Sequence, residues 1–484
     1  MVRKTRRAAW GTGAATFAVG LLLSLTPIAS AAKIPVEQKP VMGWSSWSFL
    51  RFGIDTHRIE AEAKALRTTG LSRYGYDYIN VDDNWYQCPG KQGPNVDSDG
   101  RWLVDGREFP RVGSQNGIAA VASYVHHLGL KFGIYETPGI SEQAVKANDR
   151  IAGTNFTARQ IATGKPTNNY NCGGMVGLNY ASPGAQAYTD SVVDQLASWG
   201  IDYIKLDGIT NSESAYVKAW SKAIKQSGRL IVLNITQGSY TTKLAPTLDQ
   251  FANQWEFTPD IEINGPDEGL ATGCNAPPYP GCRSVYPLTS YAHWFDRFNA
   301  VNRWQPYGGP GGFNDYDSIE VGDGAARSGM TPAAEKSQLS LWALGSAPLI
   351  LGIDLTSGVT NAFGSSGGLV AADARLLENR QMLEVDQDAI DARRILDSDN
   401  RQVFAKREHT GDAVVGLFNT DQTAGAGSET ITTSPGAIGL SHDHAGFRVK
   451  DLWTGTTSTV KAGGTIRATV PAEGVALLRV TPIS

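Results

Sequence analysis

Acidic residues that end or follow apolar segments are the part of this sequence best suited to chemistry. Asp82 and Asp83 lie at the end of one such segment, Asp207 ends a second, and Asp260 follows a third. A carboxylate at the end of a buried strand is costly unless it is paired or used. One alone could cap the next helix, but acids at the ends of three separate strands favour a shared site.

Two carboxylates facing a glycosidic bond are the minimum apparatus for glycoside hydrolysis, because one attacks the anomeric carbon and the other protonates the leaving oxygen. Asp207 suits the first role, since Lys205 points to the same strand face and favours the ionised carboxylate. Asp260 suits the second, because it follows a proline in a loop where burial would raise its pKa. The alternative pair, Asp82 and Asp83, is weaker because adjacent strand residues face opposite ways.

Short β-branched segments alternate with helical patterns over residues 38–395, which predicts a (β/α)8 barrel. Active sites of such barrels form at the C-terminal ends of the strands, where the acids would meet. Two of the helical patterns are Ala185–Trp199 and Ala333–Leu344. The eight candidate strands are Val41–Trp47, Tyr78–Asp83, Lys131–Thr137, Asp202–Asp207, Leu230–Ile235, Phe251–Phe257, Gly311–Asn314 and Pro348–Asp354.

The pattern changes over residues 396–484, where short strands are separated by Gly, Asp, Thr and Ser turns without a helical period. This predicts a C-terminal antiparallel β-sandwich that packs directly against the barrel. Its clearest strands are Gln402–Ala405, Ala413–Phe418, Gly446–Val449 and Val475–Val480.

Residues 1–31 have the three parts of a secretory signal peptide: a basic start, the apolar run Ala14–Ile28, and the cleavage pattern Ala29-Ser30-Ala31. We therefore expect a secreted, extracellular protein. The pair Arg6-Arg7 fits either a twin-arginine route or an ordinary basic start. No later segment is long and apolar enough to cross a membrane.

Export permits disulfides, and four cysteines are present. Sequence alone leaves three pairings open. We favour Cys274–Cys282, which closes a short loop, and by elimination Cys88–Cys172.

Composition and motifs exclude several classes. The net charge of −4 gives no basic footprint for nucleic acid, while 12 Trp and 17 Tyr suit stacking on sugars. No Gly-x-Gly-x-x-Gly motif opens a helix after a strand, no Gly-x-Ser-x-Gly elbow between a strand and a helix is indicated, and the seven His show no His-x-x-x-His spacing, so we expect no cofactor and no catalytic metal. Asp97-Ser98-Asp99-Gly100 echoes a calcium loop but lacks its later Glu, which favours a plain turn. The oligomeric state is not indicated.

Several motifs together resemble the α-galactosidases (melibiases) of glycoside hydrolase family 27, and they occur in the family's order over nearly all of the mature chain. They are Met42–Trp47 (MGWSSW), Tyr78–Asp83 (YINVDD), Lys131–Tyr135 (KFGIY), Asp202–Gly208 (DYIKLDG), Gly309–Asp317 (GPGGFNDYD) and Leu341–Leu344 (LWAL).

The resemblance implies retaining hydrolysis of terminal α-D-galactosyl residues of oligosaccharides or polysaccharides through a covalent glycosyl-enzyme. It also implies that Asp207 is the nucleophile and Asp260 the acid/base. The residues that match the lining of the sugar subsite are Trp47, Asp82, Asp83, Tyr135 and Lys205.

Two departures bear on the identity of the sugar. The family's Cys-Glu-Trp-Pro motif is replaced by Asn234-Ile235-Thr236-Gln237, and its Trp-Arg before the acid/base is replaced by Trp255-Glu256. Both lost family residues, Glu and Arg, contact the 2-hydroxyl side of the sugar, so we predict Glu256 as a substrate-binding residue with a different hydrogen-bond network. An isomalto-dextranase, a β-L-arabinopyranosidase and a non-catalytic carbohydrate-binding protein therefore stay open as alternatives.

Overall fold

The computed structural model describes residues 38–483, except residues 168, 263–284 and 442. The predicted signal peptide and the predicted pair Cys274–Cys282 lie outside the described residues. Within the described part of the chain, no helix has the length and apolar character that crossing a membrane requires. The predicted pair Cys88–Cys172 is confirmed as a disulfide, with Cα atoms 5.7 Å apart.

The described chain contains strands of a barrel, a small side sheet and a C-terminal sandwich. In chain order the strands are β1 Met42–Ser45, β2 Tyr78–Val81, β3 Lys131–Glu136, β4 Ile140–Ser141, β5 Ala162–Thr167, β6 Met175–Leu178, β7 Tyr203–Ile209, β8 Val232–Gln237, β9 Gln254–Glu256, β10 Phe313–Asp315, β11 Leu349–Leu351, β12 Arg393–Ser398, β13 Arg401–Arg407, β14 Ala413–Asn419, β15 Glu429–Thr433, β16 Gly446–Asp451, β17 Thr457–Lys461, β18 Ile466–Val470 and β19 Val475–Ile483.

Helices separate most of the barrel strands. They are α1 Trp47–Leu50, α2 Thr56–Thr68, α3 Gly117–His127, α4 Glu142–Ala147, α5 Ala158–Ile161, α6 Pro183–Ser198, α7 Ser214–Ser227, α8 Ala245–Phe251, α9 Tyr291–Trp294, α10 Arg297–Trp304, α11 Ala325–Ser328, α12 Pro332–Leu344, α13 Ala371–Leu377 and α14 Arg380–Gln387. Short 3-10 turns occupy Leu71–Tyr74 and Gln305–Tyr307.

Eight parallel strands form the barrel in the order β10-β9-β8-β7-β3-β2-β1-β11, and each contains or overlaps one of the predicted strands. Ile319, just after β10, closes the barrel by a parallel bridge to Leu351 of β11. Its N–H donates to the carbonyl of Ile350 at 2.7 Å. The predicted (β/α)8 barrel is therefore confirmed. The carboxyl ends of the eight strands meet at one end of the barrel, where parallel barrels place their sites.

Local sequence signals explain where the helices begin. Asp55 caps α2 by accepting the N–H of Arg58, and Thr331 caps α12 by accepting the N–H of Ala334. Pro332 and Pro183 occupy the first turns of α12 and α6, where the missing N–H of proline costs nothing. The two helices predicted from periodicity, α6 and α12, are thus confirmed.

The C-terminal strands form antiparallel sheets, as predicted. The larger sheet has the order β12-β13-β14-β19-β16-β17, and β15 pairs with β18. Their apolar faces enclose a core that includes Val415, Leu417, Phe447 and Val480. The first strand of the large sheet begins at Arg393, so the antiparallel pattern starts directly after α14.

Aromatic side chains join the sandwich to the barrel helices. The ring of Phe298, in α10, lies 5.1 Å from that of Phe418 in β14, edge to face, and 6.1 Å from that of Phe404 in β13. Trp453 donates its indole N–H to the hydroxyl of Ser340 in α12 at 3.0 Å. Helix α10 is consequently anchored against the sandwich, and the residue before Phe298 is Arg297.

Candidate active site

An irregularity in β7 sets the position of Asp207. Strand β7 pairs with β8 in regular register up to Leu206 and resumes at Ile209, one register step out of phase. Gly208 lies between them with φ +74°, a backbone conformation that glycine adopts without the strain of a side chain. Such bulges re-aim side chains near active sites. Asp207 therefore reaches the cavity together with Lys205, two residues before it.

One cavity of about 190 Å³ opens at the carboxyl ends of the barrel strands. This is smaller than the roughly 300–1,000 Å³ of drug-sized ligand sites, so it suits one sugar ring. Of the residues predicted from sequence, those that line it are Trp47, Asp82, Asp83, Tyr135, Lys205, Asp207 and Asp260. The other lining residues are Tyr170, Asn171, Thr236, Tyr240 and Pro259.

Burial dominates the electrostatics of Asp207. The hydroxyl of Tyr135 donates to its Oδ2 at 2.9 Å. Burial raises the pKa of Asp207 to about 7, Lys205 and the Tyr135 hydrogen bond lower it, and Asp260 and Asp82 raise it. Lys205 therefore favours the ionised carboxylate of Asp207, as predicted, but the effect of desolvation on this pKa is larger than that of the lysine.

Lys205 makes its ion pair with Asp82 and not with Asp207. Its Nζ lies 2.9 Å from Asp82 Oδ2, and the two side chains are 17% and 3% exposed. Burial lowers the pKa of Lys205, but Asp82, Glu256, Asp207 and Asp260 together raise it well above its ordinary value. One lysine thus serves several carboxylates.

Asp83 already accepts hydrogen bonds from the protein on both carboxylate oxygens. Tyr86 donates its hydroxyl to Oδ1, Asn84 donates its N–H to Oδ1 at 2.7 Å, and Asn171 donates its side-chain amide to Oδ2. Burial raises the pKa of Asp83 to about 6, against the opposing effect of these donors. The Asp83 side of the cavity is therefore tightly constrained before any ligand enters.

The disulfide brings Asn171 and Tyr170 to the cavity. Cys172 is bonded to Cys88, and its N–H also donates to the side chain of Asn169 at 2.7 Å. The sequence analysis did not identify Tyr170 and Asn171 as lining residues. Their position next to Cys172, a predicted disulfide cysteine, could have indicated that this segment is held in place. Tyr240, also missed, has φ +44°, and no local motif indicates a left-handed conformation at a tyrosine.

Asp260 lines the cavity from the segment that follows β9. Its side chain is part-exposed, and Trp47 donates its indole N–H to Oδ2 at 3.3 Å. The aromatic ring of Trp47 and the carboxyl of Asp260 are thus in contact at one edge of the cavity.

Glu256 lies behind this cavity. The hydroxyl of Thr236, which does line the cavity, donates to Glu256 Oε2 at 3.2 Å, and among the described residues Oε1 has no hydrogen-bond partner. Burial and the charge of Asp317 raise the pKa of Glu256 well above its ordinary value, while Lys205 lowers it. Direct contact of Glu256 with a ligand remains a prediction, and Thr236 links Glu256 to the cavity through this hydrogen bond.

Within the described ranges, one group of His, Cys, Asp or Glu side chains has ligand atoms close enough to share a metal ion. It consists of Glu256, Asp260 and Asp317, whose oxygens lie within 4.8 Å of one another. Arg101 pairs with both Asp97 and Asp99 at about 3 Å, so the sequence that echoes a calcium loop forms a turn closed by a guanidinium.

Comparison with known proteins shows similarity along most of the chain. A family model described as "Alpha galactosidase A" matches residues 39–147, and one described as "Alpha galactosidase C-terminal beta sandwich domain" matches residues 398–480. The chain is 27% identical to an α-galactosidase of Oryza sativa subsp. japonica, covering 92% of this chain and 85% of that protein. It is 28% identical to α-galactosidase A of Cellvibrio japonicus, covering 96% and 98%.

Among solved structures, a β-L-arabinopyranosidase of Geobacillus stearothermophilus superposes with a TM-score of 0.75 at 24% identity. The match covers 92% of this chain and 97% of that one. At this identity the similarity shows a shared fold.

The raised pKa of Asp207 predicts a pH-dependent stability cost. Asp207 ionises near 3.8 when unfolded but near 7 when folded, so it destabilises the fold progressively as pH rises between these values. We expect Asp207→Asn to be more stable than the parent at pH 8 by about 1–3 kcal/mol, and to lose this advantage at pH 4. Urea unfolding at both pH values measures this. Asp194→Asn, at an exposed site in α6, is the control. If the free energies of unfolding of Asp207→Asn and the parent differ by the same amount at pH 4 and pH 8, the prediction is wrong.

Proposed function

We infer the function of this chain from its family, because it belongs to the α-galactosidase (melibiase) family, glycoside hydrolase family 27. It is a glycoside hydrolase of the α-galactosidase type that acts on terminal α-D-galactosyl residues of oligosaccharides or polysaccharides. The observation that carries the mechanism is that two carboxylates, Asp207 and Asp260, line one cavity of single-sugar size.

The proposed mechanism is a double displacement with retention. Ionised Asp207, oriented by the hydroxyl of Tyr135, attacks the anomeric carbon while Asp260 donates a proton to the departing oxygen. The covalent glycosyl-enzyme is then hydrolysed by a water that Asp260, now a base, deprotonates. Lys205 lowers the pKa of Asp207 and so increases the ionised fraction of the nucleophile.

The sugar would be held by the polar wall of β2 and by one aromatic ring. Asp82 and Asp83 offer carboxylate oxygens to the hydroxyls on the O4 and O6 side, and charge-assisted hydrogen bonds orient hydroxyls well. Lys205 supplies donors beside Asp82. The indole of Trp47 supplies an apolar face beside Asp260.

A second candidate is hydrolysis of β-L-arabinopyranosides. This sugar has the ring stereochemistry of α-D-galactose but lacks the exocyclic CH2OH. Both oxygens of Asp83 already accept from Asn171 and Tyr86, which leaves less capacity for an O6 hydroxyl. Thr236 and Glu256, in place of the family's Glu and Arg, also change the 2-hydroxyl side.

We further propose that the protein acts outside the cell. The signal-peptide pattern of residues 1–31 supports export, and the disulfide Cys88–Cys172 is of the kind that persists in oxidising compartments. In the proposed division of the chain, residues 38–395 form the catalytic domain and residues 396–484 the accessory sandwich.

A panel of glycoside substrates tests directly which sugar the enzyme prefers. A lost charged contact in the transition state costs about 2–3 kcal/mol, so α-galactosides should be turned over less efficiently by the parent than by Glu256→Arg. The measurement is kcat/KM for α-galactoside, α-glucoside and β-L-arabinopyranoside nitrophenyl substrates, with dextran and raffinose alongside. Highest efficiency on β-L-arabinopyranoside selects the second candidate.

Two outcomes of these measurements would contradict the proposed sugar recognition or the proposed hydrolysis. High parental efficiency on α-galactoside with no gain in Glu256→Arg means that the replacements do not weaken galactose recognition. Sugar binding without release of product from any substrate means a non-catalytic carbohydrate-binding protein. Glu142→Arg, at a part-exposed residue of α4 outside the cavity lining, controls for the change in net charge.

The acid role of Asp260 predicts a dependence on the leaving group. We expect Asp260→Ala to lower kcat/KM by about 10²–10⁴-fold for a sugar leaving group, because a basic departing oxygen needs its proton. A dinitrophenyl leaving group departs unaided and should lose far less. Asp194→Ala, at an exposed acidic residue of α6 outside the cavity lining, is the matched control. Equal losses on both substrates would mean that Asp260 is structural.

A further inference from the structure

The peptide segment that carries Asp260 is held from three sides. Arg297 donates its guanidinium to the carbonyl of Pro259, and Asp317 Oδ2 accepts the N–H of Ile261 at 2.8 Å. The ring Nε2 of His293 lies 3.2 Å from the carbonyl oxygen of Asp260 itself. The backbone is therefore fixed before, at and after the proposed acid/base by side chains from elsewhere in the chain.

Arg297 links these contacts. It is 1% exposed, and the same Nη2 that donates to the carbonyl of Pro259 lies 3.6 Å from Asp317 Oδ2. A planar guanidinium can serve a carbonyl and a carboxylate at once, which an ammonium does less well. The neighbouring Phe298 packs against Phe418 of the sandwich, so the helix that presents Arg297 is itself anchored.

Asp317 has a strained backbone conformation that directs its carboxylate at the segment carrying Asp260. Its φ is +75°, a value that costs a non-glycine residue about 1–3 kcal/mol unless the surroundings impose it. Trp342 donates its indole N–H to the carbonyl of Asp317 at 2.8 Å, and the N–H of Asp317 donates to Asp315 at 3.0 Å. These contacts keep the carboxylate directed at the Asp260 segment.

The charges around Asp260 show why a clamp is needed. One carboxylate oxygen from each of Glu256, Asp260 and Asp317 lies within 4.8 Å of the other two, so ionising more than one of these buried groups is costly. Burial and this crowding raise the pKa of Glu256 and of Asp317 well above their ordinary values. Lys205 offsets this charge from the barrel side. Arg297 offsets it from the α10 side while bonding to the loop backbone.

We propose that Arg297, acting with Asp317, is a positioning residue that holds the acid/base Asp260 at the cavity wall. This inference rests on the proposed function, in which Asp260 protonates the leaving oxygen. Proton transfer requires hydrogen-bond distance to that oxygen, and small misplacements of a catalytic group are costly. Arg297 touches neither the cavity nor the reacting atoms, so its effect must pass through Asp260.

The first test is the leaving-group dependence of Arg297→Ala. We expect kcat/KM to fall about 10–100-fold for a sugar leaving group and less than about 3-fold for dinitrophenyl. The ratio kcat/KM reports only the steps up to cleavage of the glycosidic bond, so the later hydrolysis does not mask the effect. A loss of the same size on both substrates overturns the proposal, because a general loss of structure does not distinguish leaving groups.

The second test is a double-mutant cycle with Asp260→Ala. If Arg297 acts through Asp260, adding Arg297→Ala to the Asp260→Ala background should change kcat/KM by less than about 2-fold. An undiminished effect in that background overturns the proposal. If Arg297→Ala does not fold, Arg297→Lys takes its place. It should lower kcat/KM more for the sugar leaving group than for dinitrophenyl, with a smaller fold-change. Absence of this difference overturns the proposal.

Arg229→Ala is the matched control. Arg229 also bonds to two backbone carbonyls, those of Gly200 and Ile201, and pairs with Asp202 before β7, far from the carboxyl end of that strand. It should lower stability without any leaving-group bias, and a bias as strong as that of Arg297→Ala overturns the proposal. A parent enzyme that cleaves no glycoside refutes the proposed function, whereas an active parent with an unbiased Arg297→Ala refutes only the clamp.

Discussion

The burial of several carboxylates at one end of the barrel is the constraint on which this site depends. Desolvation raises the pKa of Asp207 and Glu256, and each cation has to serve more than one acid. Lys205 pairs with Asp82 while also lowering the pKa of Asp207, and Arg297 faces Asp317 while bonding to the Asp260 segment. Such an arrangement is unfavourable for folding alone, which is why it marks chemistry.

The rest of the molecule supplies the rigidity that this charge distribution requires. The barrel brings the strand ends together, the bulge after Leu206 aims Asp207, and the disulfide of Cys172 holds the loop over Asp83. The sandwich, although remote from the cavity, contributes through Phe298, which anchors the helix that presents Arg297. The C-terminal sheets therefore support the helix that carries Arg297.

Sequence patterns were sufficient for the elements and for the acids at their ends. Several barrel strands, such as β1 Met42–Ser45 and β2 Tyr78–Val81, are short buried segments, and an Asp that closes such a segment stands out by its desolvation cost. Tyr240 and Asp317 escaped as site residues because their left-handed backbone conformations have no local signal. Arg297 escaped because its role depends on contacts with Pro259 and Asp317 from distant parts of the chain. The sequence also does not show how deeply Asp207 is buried. In the structure this burial raises the pKa of Asp207 more than Lys205 lowers it.

The most direct test of the central claim is to trap the covalent intermediate. A 5-fluoro glycosyl fluoride of the preferred sugar keeps the 2-hydroxyl, so it suits a subsite whose 2-hydroxyl side has changed. Its activated leaving group speeds formation of the glycosyl-enzyme, while the ring fluorine slows the subsequent hydrolysis. Mass spectrometry of the digested protein should find the added sugar on the peptide containing Asp207 and on no other. An adduct on a different residue, or turnover with inversion and no adduct, would contradict the assignment of Asp207 as the nucleophile.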